Sequence, residues 1–238
     1  MKFLARLSAS RKIMLALAAV LLVAAGVLKI TGIGEKAPAS GEAGIPTLVI
    51  DAGHGGIDGG AVAENGTKES TLNLDIALRL RAISALWGVN YVMVRSEDTS
   101  FTSGADYSER EELAKRVSLI NSEENAVYMS IHQNCYPTGQ PSGPQVMYAR
   151  DDTSKRFGRI TQTNLISQLD PENRRVAVPV SEKLYISANS ERPGILVECG
   201  FMSNMWDVQK LCTDTYQKAI AAVLAASFIQ FCGGTEIA

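Results

Sequence analysis

A chain of 238 residues can bury the core of one domain but is short for two. Its hydrophobic fraction of 46% excludes a chain that is disordered throughout. Residues 1–40 carry six basic side chains against one acid, which leaves 17 basic and 24 acidic side chains beyond them, a net charge of −7. With that balance and no stripe of Lys and Arg, the body of the chain is a poor candidate for nucleic-acid binding.

The first thirty residues have the pattern of an export signal. Residues 1–12 carry four cations, and residues 13–28 then run for sixteen positions without a charge. A helix over this run would span roughly 24 Å, slightly less than a bilayer core of about 30 Å. We therefore predict a signal peptide, cleaved near Ala39, or an uncleaved membrane anchor over residues 1–30. The cations on its N-terminal side predict that the rest of the chain lies outside the cytoplasm.

Residues 31–45 are rich in Gly, Ala, Pro and Ser and are predicted to be a linker. In the domain that follows, residues 46–238, short apolar runs alternate with segments that repeat apolar residues at helical spacing. This alternation predicts a single α/β domain with an open, mostly parallel sheet flanked by helices, and a site beyond the carboxyl ends of the strands. The strands are predicted at 47–51, 89–94, 126–131, 145–149 and 194–199, and the helices at 72–87, 107–121, 154–169 and 216–231.

The cysteines have no spacing that indicates a metal finger or a redox pair. Cys135, Cys199, Cys212 and Cys232 form no CxxC motif, and their spacing does not choose among the three full pairings that four cysteines allow. We predict mostly buried free thiols, with one disulfide permitted in an exported protein.

The chain has only two histidines, and both follow an apolar strand. His54 comes after TLVIDAG and His132 after AVYMSI, so that both are expected at the same edge of the sheet. One histidine in such a place is more often structural than a ligand, but two of them favour a shared site. Glu69 begins the helix that follows His54, which can turn its carboxylate back over the glycine loop. The alternative for Glu69 is an acid that stabilises a helix N-terminus, by a few tenths of a kcal/mol.

Glu198 interrupts the apolar strand ILVEC near the C-terminal end of the chain. Because an unpaired buried carboxylate is costly, Glu198 is expected either to face a cleft at the strand end or to pair with a cation. Two histidines and one carboxylate, with a fourth position for water, form the ligand set of a hydrolytic zinc site. A second glutamate that does not bind the metal then supplies the general base. These residues predict a metal hydrolase without indicating its substrate.

Four segments also resemble, in order, the motifs of the zinc-dependent N-acetylmuramoyl-L-alanine amidases (amidase 3 type). They are TLVIDAGHGGIDGGAVAENGTKESTLNL, VRSEDTS, RVSLIN with YMSIHQNC, and PGILVECGFMSN, and the resemblance covers residues 47–231. It implies that the domain is a peptidoglycan amidase whose zinc is held by His54, Glu69 and His132, with Glu198 as the catalytic acid/base. Ala52 and Cys135 depart from residues common in the family, but neither is a ligand.

The short N-terminal segment and the stretch YSEREELAKRVSLIN resemble the sporulation-specific members of this family. That subgroup strips peptides from muramic acid so that cortex muramic-δ-lactam can form, and an activating partner lipoprotein is a further expectation. Within the mechanism, Asp51 or a backbone carbonyl is expected to orient one histidine. Arg95, Arg174 and Arg175 are candidates to hold carboxylates of the stem peptide, the alternative being solvated surface arginines.

Two rival interpretations remain. A nucleotide-binding loop or a serine hydrolase fits poorly, since GHGGIDGG has Asp58 at the third glycine of GxGxxG, no Gly-Lys-Ser/Thr follows, and GxSxG is absent. The non-catalytic alternative is an amidase-like domain that binds wall glycan or a partner protein without turnover. Bound zinc without product release would identify it.

Overall fold

The structure is a computed structural model that describes residues 33–36, 44–102, 104, 107–182 and 184–234. The strands in this part of the chain are β1 Ile33–Lys36, β2 Thr47–Ala52, β3 Tyr91–Arg95, β4 Ala126–Asn134, β5 Gln145–Tyr148, β6 Val178–Pro179 and β7 Gly194–Phe201. The helices are α1 Glu69–Leu86, α2 Glu109–Asn121, α3 Asp152–Leu169, α4 Tyr185–Asn189, α5 Met205–Leu211 and α6 Asp214–Cys232.

The strands form one sheet in the order β1-β3-β2-β4-β7-β5-β6. The four central strands, β3, β2, β4 and β7, are parallel, whereas β1 and β5 run antiparallel to their neighbours β3 and β7. The predicted α/β domain with an open, mostly parallel sheet is therefore confirmed.

Helices cover both faces of the sheet, which explains why the central strands are apolar almost without interruption. On one face, α1, α3 and α6 pack against side chains such as Leu48, Ile50 and Met129. On the other face, α2 contributes Ile120 to a smaller cluster with Val49. Parallel strands end at a common edge, so β2, β4 and β7 bring their carboxyl ends together there.

Several elements differ from the sequence prediction. Strand β1 lies inside residues 31–45, whose composition indicates a linker, because pairing with β3 satisfies a backbone that local composition does not describe. The short elements β6, α4 and α5 were not predicted either, and β4 and β7 extend beyond their predicted ends. The boundaries of the predicted catalytic domain, residues 46–238, stay a prediction.

The predicted signal peptide or membrane anchor, residues 1–30, lies outside the described residues and stays a prediction. Among the helices that the structure describes, none is both long and apolar enough to cross a membrane.

The cysteine prediction is partly wrong. All four thiols are free, but only Cys199 is buried, Cys232 is half-buried, and Cys135 and Cys212 are exposed.

Candidate metal centre

His54 lies in the glycine-rich turn directly after β2. Its backbone is in the left-handed region, with φ of 59°, which is uncommon for a residue with a side chain. Its Nδ1 lies 2.6 Å from Oδ2 of Asp58, whose other oxygen, Oδ1, accepts a hydrogen bond from the Gly60 amide. Because Asp58 engages Nδ1, the other ring nitrogen, Nε2, faces the site. A carboxylate on the far nitrogen is a common way to fix the orientation of a metal-binding histidine.

Glu69 is the first residue of α1 and is buried, as the sequence predicts for a carboxylate turned back over the glycine loop. Its Oε2 accepts a hydrogen bond from the Ala61 amide, and its Oε1 accepts one from the Gln133 amide. Burial raises the pKa of Glu69, but contacts with His132 and His54 outweigh it and hold this pKa far below its usual range. The carboxylate is therefore ionised at neutral pH.

His132 lies near the carboxyl end of β4, with its ring edge-on to that of His54 at a centroid distance of 5.1 Å. The ring fills the space next to Gly53, where an added methyl group would lie 2.2 Å from its Cε1 atom. Gly53 is thus required by the position of His132.

The three side chains meet around one carboxylate oxygen. Nε2 of His54 and Nδ1 of His132 lie 3.3 Å and 3.0 Å from Oε1 of Glu69, and the ligand atoms of all three residues lie within 4.8 Å of one another. Ligands that bind tetrahedral zinc at 2.0–2.2 Å are about 3.3–3.6 Å apart. Two imidazoles, one carboxylate and an open fourth position thus fit a catalytic zinc ion. No second cluster of this kind occurs in the part of the chain that the structure describes.

Glu198 lies on β7 directly opposite His132 of β4. Its Oε2 is buried and has no hydrogen-bond partner, and none of the ion pairs among the described residues includes Glu198. The pairing with a cation that the sequence left open is therefore not observed there, and the charges that act on Glu198 are those of His132, Glu69 and His54. Burial, with the negative charge of Glu69, outweighs the attraction of the histidines and raises the pKa of Glu198 to about 7.

Of the two groups expected to orient a histidine, Asp51 or a backbone carbonyl, Asp51 does not do so, and that part of the prediction is wrong. Its carboxylate is fully buried and accepts hydrogen bonds from Arg116 at 2.7 Å and from Ser130 at 2.6 Å. Arg116 also donates to the backbone oxygen of His54 at 2.6 Å. The Asp51–Arg116 pair therefore holds the backbone of the His54 turn, whereas Asp58 is the carboxylate that contacts the imidazole. The missed signal was local, because Asp58 follows His54 by four residues in a tight glycine loop.

Arg95 is also unsuitable for its predicted role. It is almost completely buried and donates to the backbone oxygens of Ala52, Gly53 and Ser70. Its guanidinium joins the end of β2 to the start of α1, out of reach of a substrate. Arg174 is exposed and pairs with Glu172 at 3.2 Å, which leaves Arg175 as the remaining candidate.

A histidine–glutamate–histidine cluster with a free glutamate, at the carboxyl edge of an α/β sheet, is the arrangement of a metal-dependent hydrolase. The family model described as N-acetylmuramoyl-L-alanine amidase matches residues 48–230. The chain therefore belongs to the N-acetylmuramoyl-L-alanine amidase family and is an amidase of peptidoglycan, as the resemblance of its motifs predicted.

Individual relatives support the same conclusion. The germination-specific N-acetylmuramoyl-L-alanine amidase of Bacillus subtilis is 31% identical over 189 residues, which cover 77% of this chain and 78% of that protein. The CwlD amidase of Clostridioides difficile, solved in complex with the GerS lipoprotein, has a TM-score of 0.73 and 28% identity over 80% of this chain and 100% of that one. A second amidase structure, from Clostridium difficile 630, has a TM-score of 0.70 and 27% identity over 81% of this chain and 100% of that one.

Proposed function

We propose that this protein is a zinc-dependent amidase that cleaves the bond between N-acetylmuramic acid and L-alanine, with zinc held by His54, Glu69 and His132 and with Glu198 as acid/base. The observation that carries the proposal is the convergence of the three ligand atoms, which lie within 4.8 Å of one another. Beside them lies Glu198, which forms no ion pair among the described residues and whose Oε2 has no hydrogen-bond partner. Such a glutamate has no evident structural task, whereas a hydrolytic site requires a free base.

A bound zinc ion would polarise the lactyl carbonyl and make a water molecule more acidic. The side chains of the protein do the rest. Asp58 fixes the ring of His54 through Nδ1, and the amides of Ala61 and Gln133 hold the carboxylate of Glu69. These contacts hold both side chains in one orientation, so that little free energy is spent on ordering them during binding.

Glu198 moves the proton. Its carboxylate accepts a proton from the attacking water as the carbon–oxygen bond forms, and then donates it to the alanine nitrogen as the carbon–nitrogen bond breaks. Burial on β7 raises the pKa of Glu198. The rise brings this carboxyl closer to the neutral range, in which a general acid/base both accepts and donates a proton effectively.

The reaction is tested by mass spectrometry of peptidoglycan digested with the purified protein. We expect free stem peptides that begin with an unmodified L-alanine amine, and glycan strands whose muramic acid ends in a free lactyl carboxylate. A chelator should abolish both products and added zinc should restore them. Products cut within the glycan or within the peptide would contradict the proposed bond, and activity that is insensitive to chelation would contradict the metal.

We further propose a role in the spore cortex. Two observations support it: the likeness to a B. subtilis amidase described as germination-specific, and the short apolar segment that precedes the amidase domain in the sequence. Because a solved relative forms a complex with a lipoprotein, we propose a lipoprotein partner for this chain too, and an activating role for that partner stays a prediction.

The cortex role is tested by deleting the gene and analysing the muropeptides of purified spores. We expect cortex that lacks muramic-δ-lactam, because the lactam can form only after the peptide has left the lactyl group. Reintroduction of the wild-type gene should restore the lactam, whereas a gene encoding Glu198→Gln should not. Normal lactam content in the deletion strain would contradict this role and leave the amidase reaction itself untouched.

A further inference from the structure

A row of polar side chains crosses the sheet beside the metal centre. His132 on β4 pairs with Glu198 on β7, and Glu198 pairs in turn with Gln145 on β5. Directly paired residues share one face of a sheet, and neighbouring strands lie about 4.8 Å apart. His132, Glu198 and Gln145 therefore follow one another in a line that leads away from the ligand cluster.

Arg175 extends this row by one more group. Its Nη1 donates to Oε1 of Gln145 at 3.3 Å, and its Nε donates to the backbone oxygen of Ser142 at 3.2 Å. The guanidinium also lies over the ring of Phe201, 4.8 Å from the ring centroid. These three contacts hold the guanidinium next to Gln145 and over the end of β7, the strand that carries Glu198.

The positive charge of Arg175 has no anionic partner in the described part of the chain. Its neighbour Arg174 is different, because it is mostly exposed and pairs with Glu172 at 3.2 Å. Asp170 and Glu172 line the same surface depression as Arg175, but neither is within ion-pair distance of its guanidinium. An oriented guanidinium without a carboxylate partner is suited to bind a carboxylate of a ligand, through two parallel hydrogen bonds.

The order of the row gives the substrate a direction. In the proposed reaction the scissile carbonyl lies at His54, Glu69 and His132, and the leaving nitrogen lies at Glu198. The peptide is attached to that nitrogen, so that it continues towards Gln145. Gln145 lies one strand spacing from Glu198, and Arg175 lies one side-chain hydrogen bond further. Together these steps amount to roughly 10 Å, which an extended peptide covers in roughly three residues.

We propose that the stem peptide leaves the catalytic centre across Gln145 and that Arg175 binds a carboxylate within its first three residues. This inference rests on the proposed function, since it takes the positions of carbonyl and nitrogen from it. Arg175 is then a specificity-determining residue that distinguishes stem peptides with free carboxylates from those in which the same carboxylates are amidated.

The experiment compares two soluble muropeptides with the same glycan and peptide sequence, one with free side-group carboxylates and one with carboxamides in their place. The full-length protein should cleave the free acid with a kcat/KM about 10- to 100-fold higher, as expected for a charge-assisted hydrogen bond. Arg175→Met should remove this preference by lowering kcat/KM on the acid alone. The matched control, Arg174→Met, should keep it, and zinc content should be the same in all three proteins.

The possible outcomes distinguish a failure of the role of Arg175 from a failure of the proposed amidase function. Equal cleavage of both muropeptides by the wild-type protein would overturn the role of Arg175 and leave the amidase function intact. Cleavage of neither substrate, with zinc bound, would overturn the proposed function and this inference with it. If Arg175→Met does not fold, equal cleavage of both muropeptides by the wild-type protein still overturns the role of Arg175, since that comparison changes only the substrate.

Discussion

Replacing Glu198 with Gln is expected to lower the turnover number by about 10²- to 10⁴-fold, the usual contribution of a positioned general acid/base. The amide keeps the shape of the side chain but cannot accept the proton of the attacking water. Zinc content should remain at one ion per domain, because Glu198 lies beside the ligand cluster and is not one of the three ligands. The rate is measured as release of stem peptide, and zinc by elemental analysis of the same preparation.

The stability of this variant separates a catalytic glutamate from a structural one. Oε2 of Glu198 is buried without a hydrogen-bond partner, so that the neutral amide removes a desolvated charge at little cost in lost contacts. The melting temperature should therefore stay the same or rise slightly. Glu64→Gln, on an exposed part of the loop before α1, is the matched control and should retain full activity. A Glu198→Gln protein that cleaves muropeptides near the wild-type rate would falsify the proposed mechanism.

The second large effect is expected from the metal ligands. His54→Ala and His132→Ala should each reduce bound zinc to near zero and abolish cleavage, since a site with two remaining ligands holds zinc poorly. Glu69→Ala should weaken zinc binding and also leave the amides of Ala61 and Gln133 without their acceptor. Zinc stoichiometry after dialysis against a weak chelator measures these differences.

A control for nonspecific damage lies three residues beyond His132. Cys135 is exposed, and a thiol is a potential zinc ligand. Cys135→Ser therefore tests whether this thiol binds zinc and whether a substitution close to His132 damages the site nonspecifically. Full zinc content and activity in Cys135→Ser, together with loss of zinc in His132→Ala, would support the assignment. Unchanged zinc in either histidine variant would exclude that histidine as a ligand.

Much of the fold and of the site follows from the sequence alone. The apolar runs that end at His54 and His132 determine two parallel strands with a common carboxyl edge, because strands with apolar residues on both faces must be covered by helices on both sides. Glu198 was recognisable as an ionisable residue inside an apolar strand, a placement that is too costly to occur without a reason. The order of the four motifs then predicted the family, and the family comparison confirmed it.

Other features were decided by contacts between distant parts of the chain. Nothing in the local sequence distinguishes Arg95 from Arg175. Arg95 is buried and bonds the backbone of the glycine turn, whereas Arg175 is half-buried and bonds Gln145. Asp51 was one of the two groups expected to orient a histidine, but its side chain binds Arg116, 65 residues away. Local patterns determine which residues can carry charge or enter a strand. Which charges meet depends on strand order and register, and these are fixed only when the whole core packs.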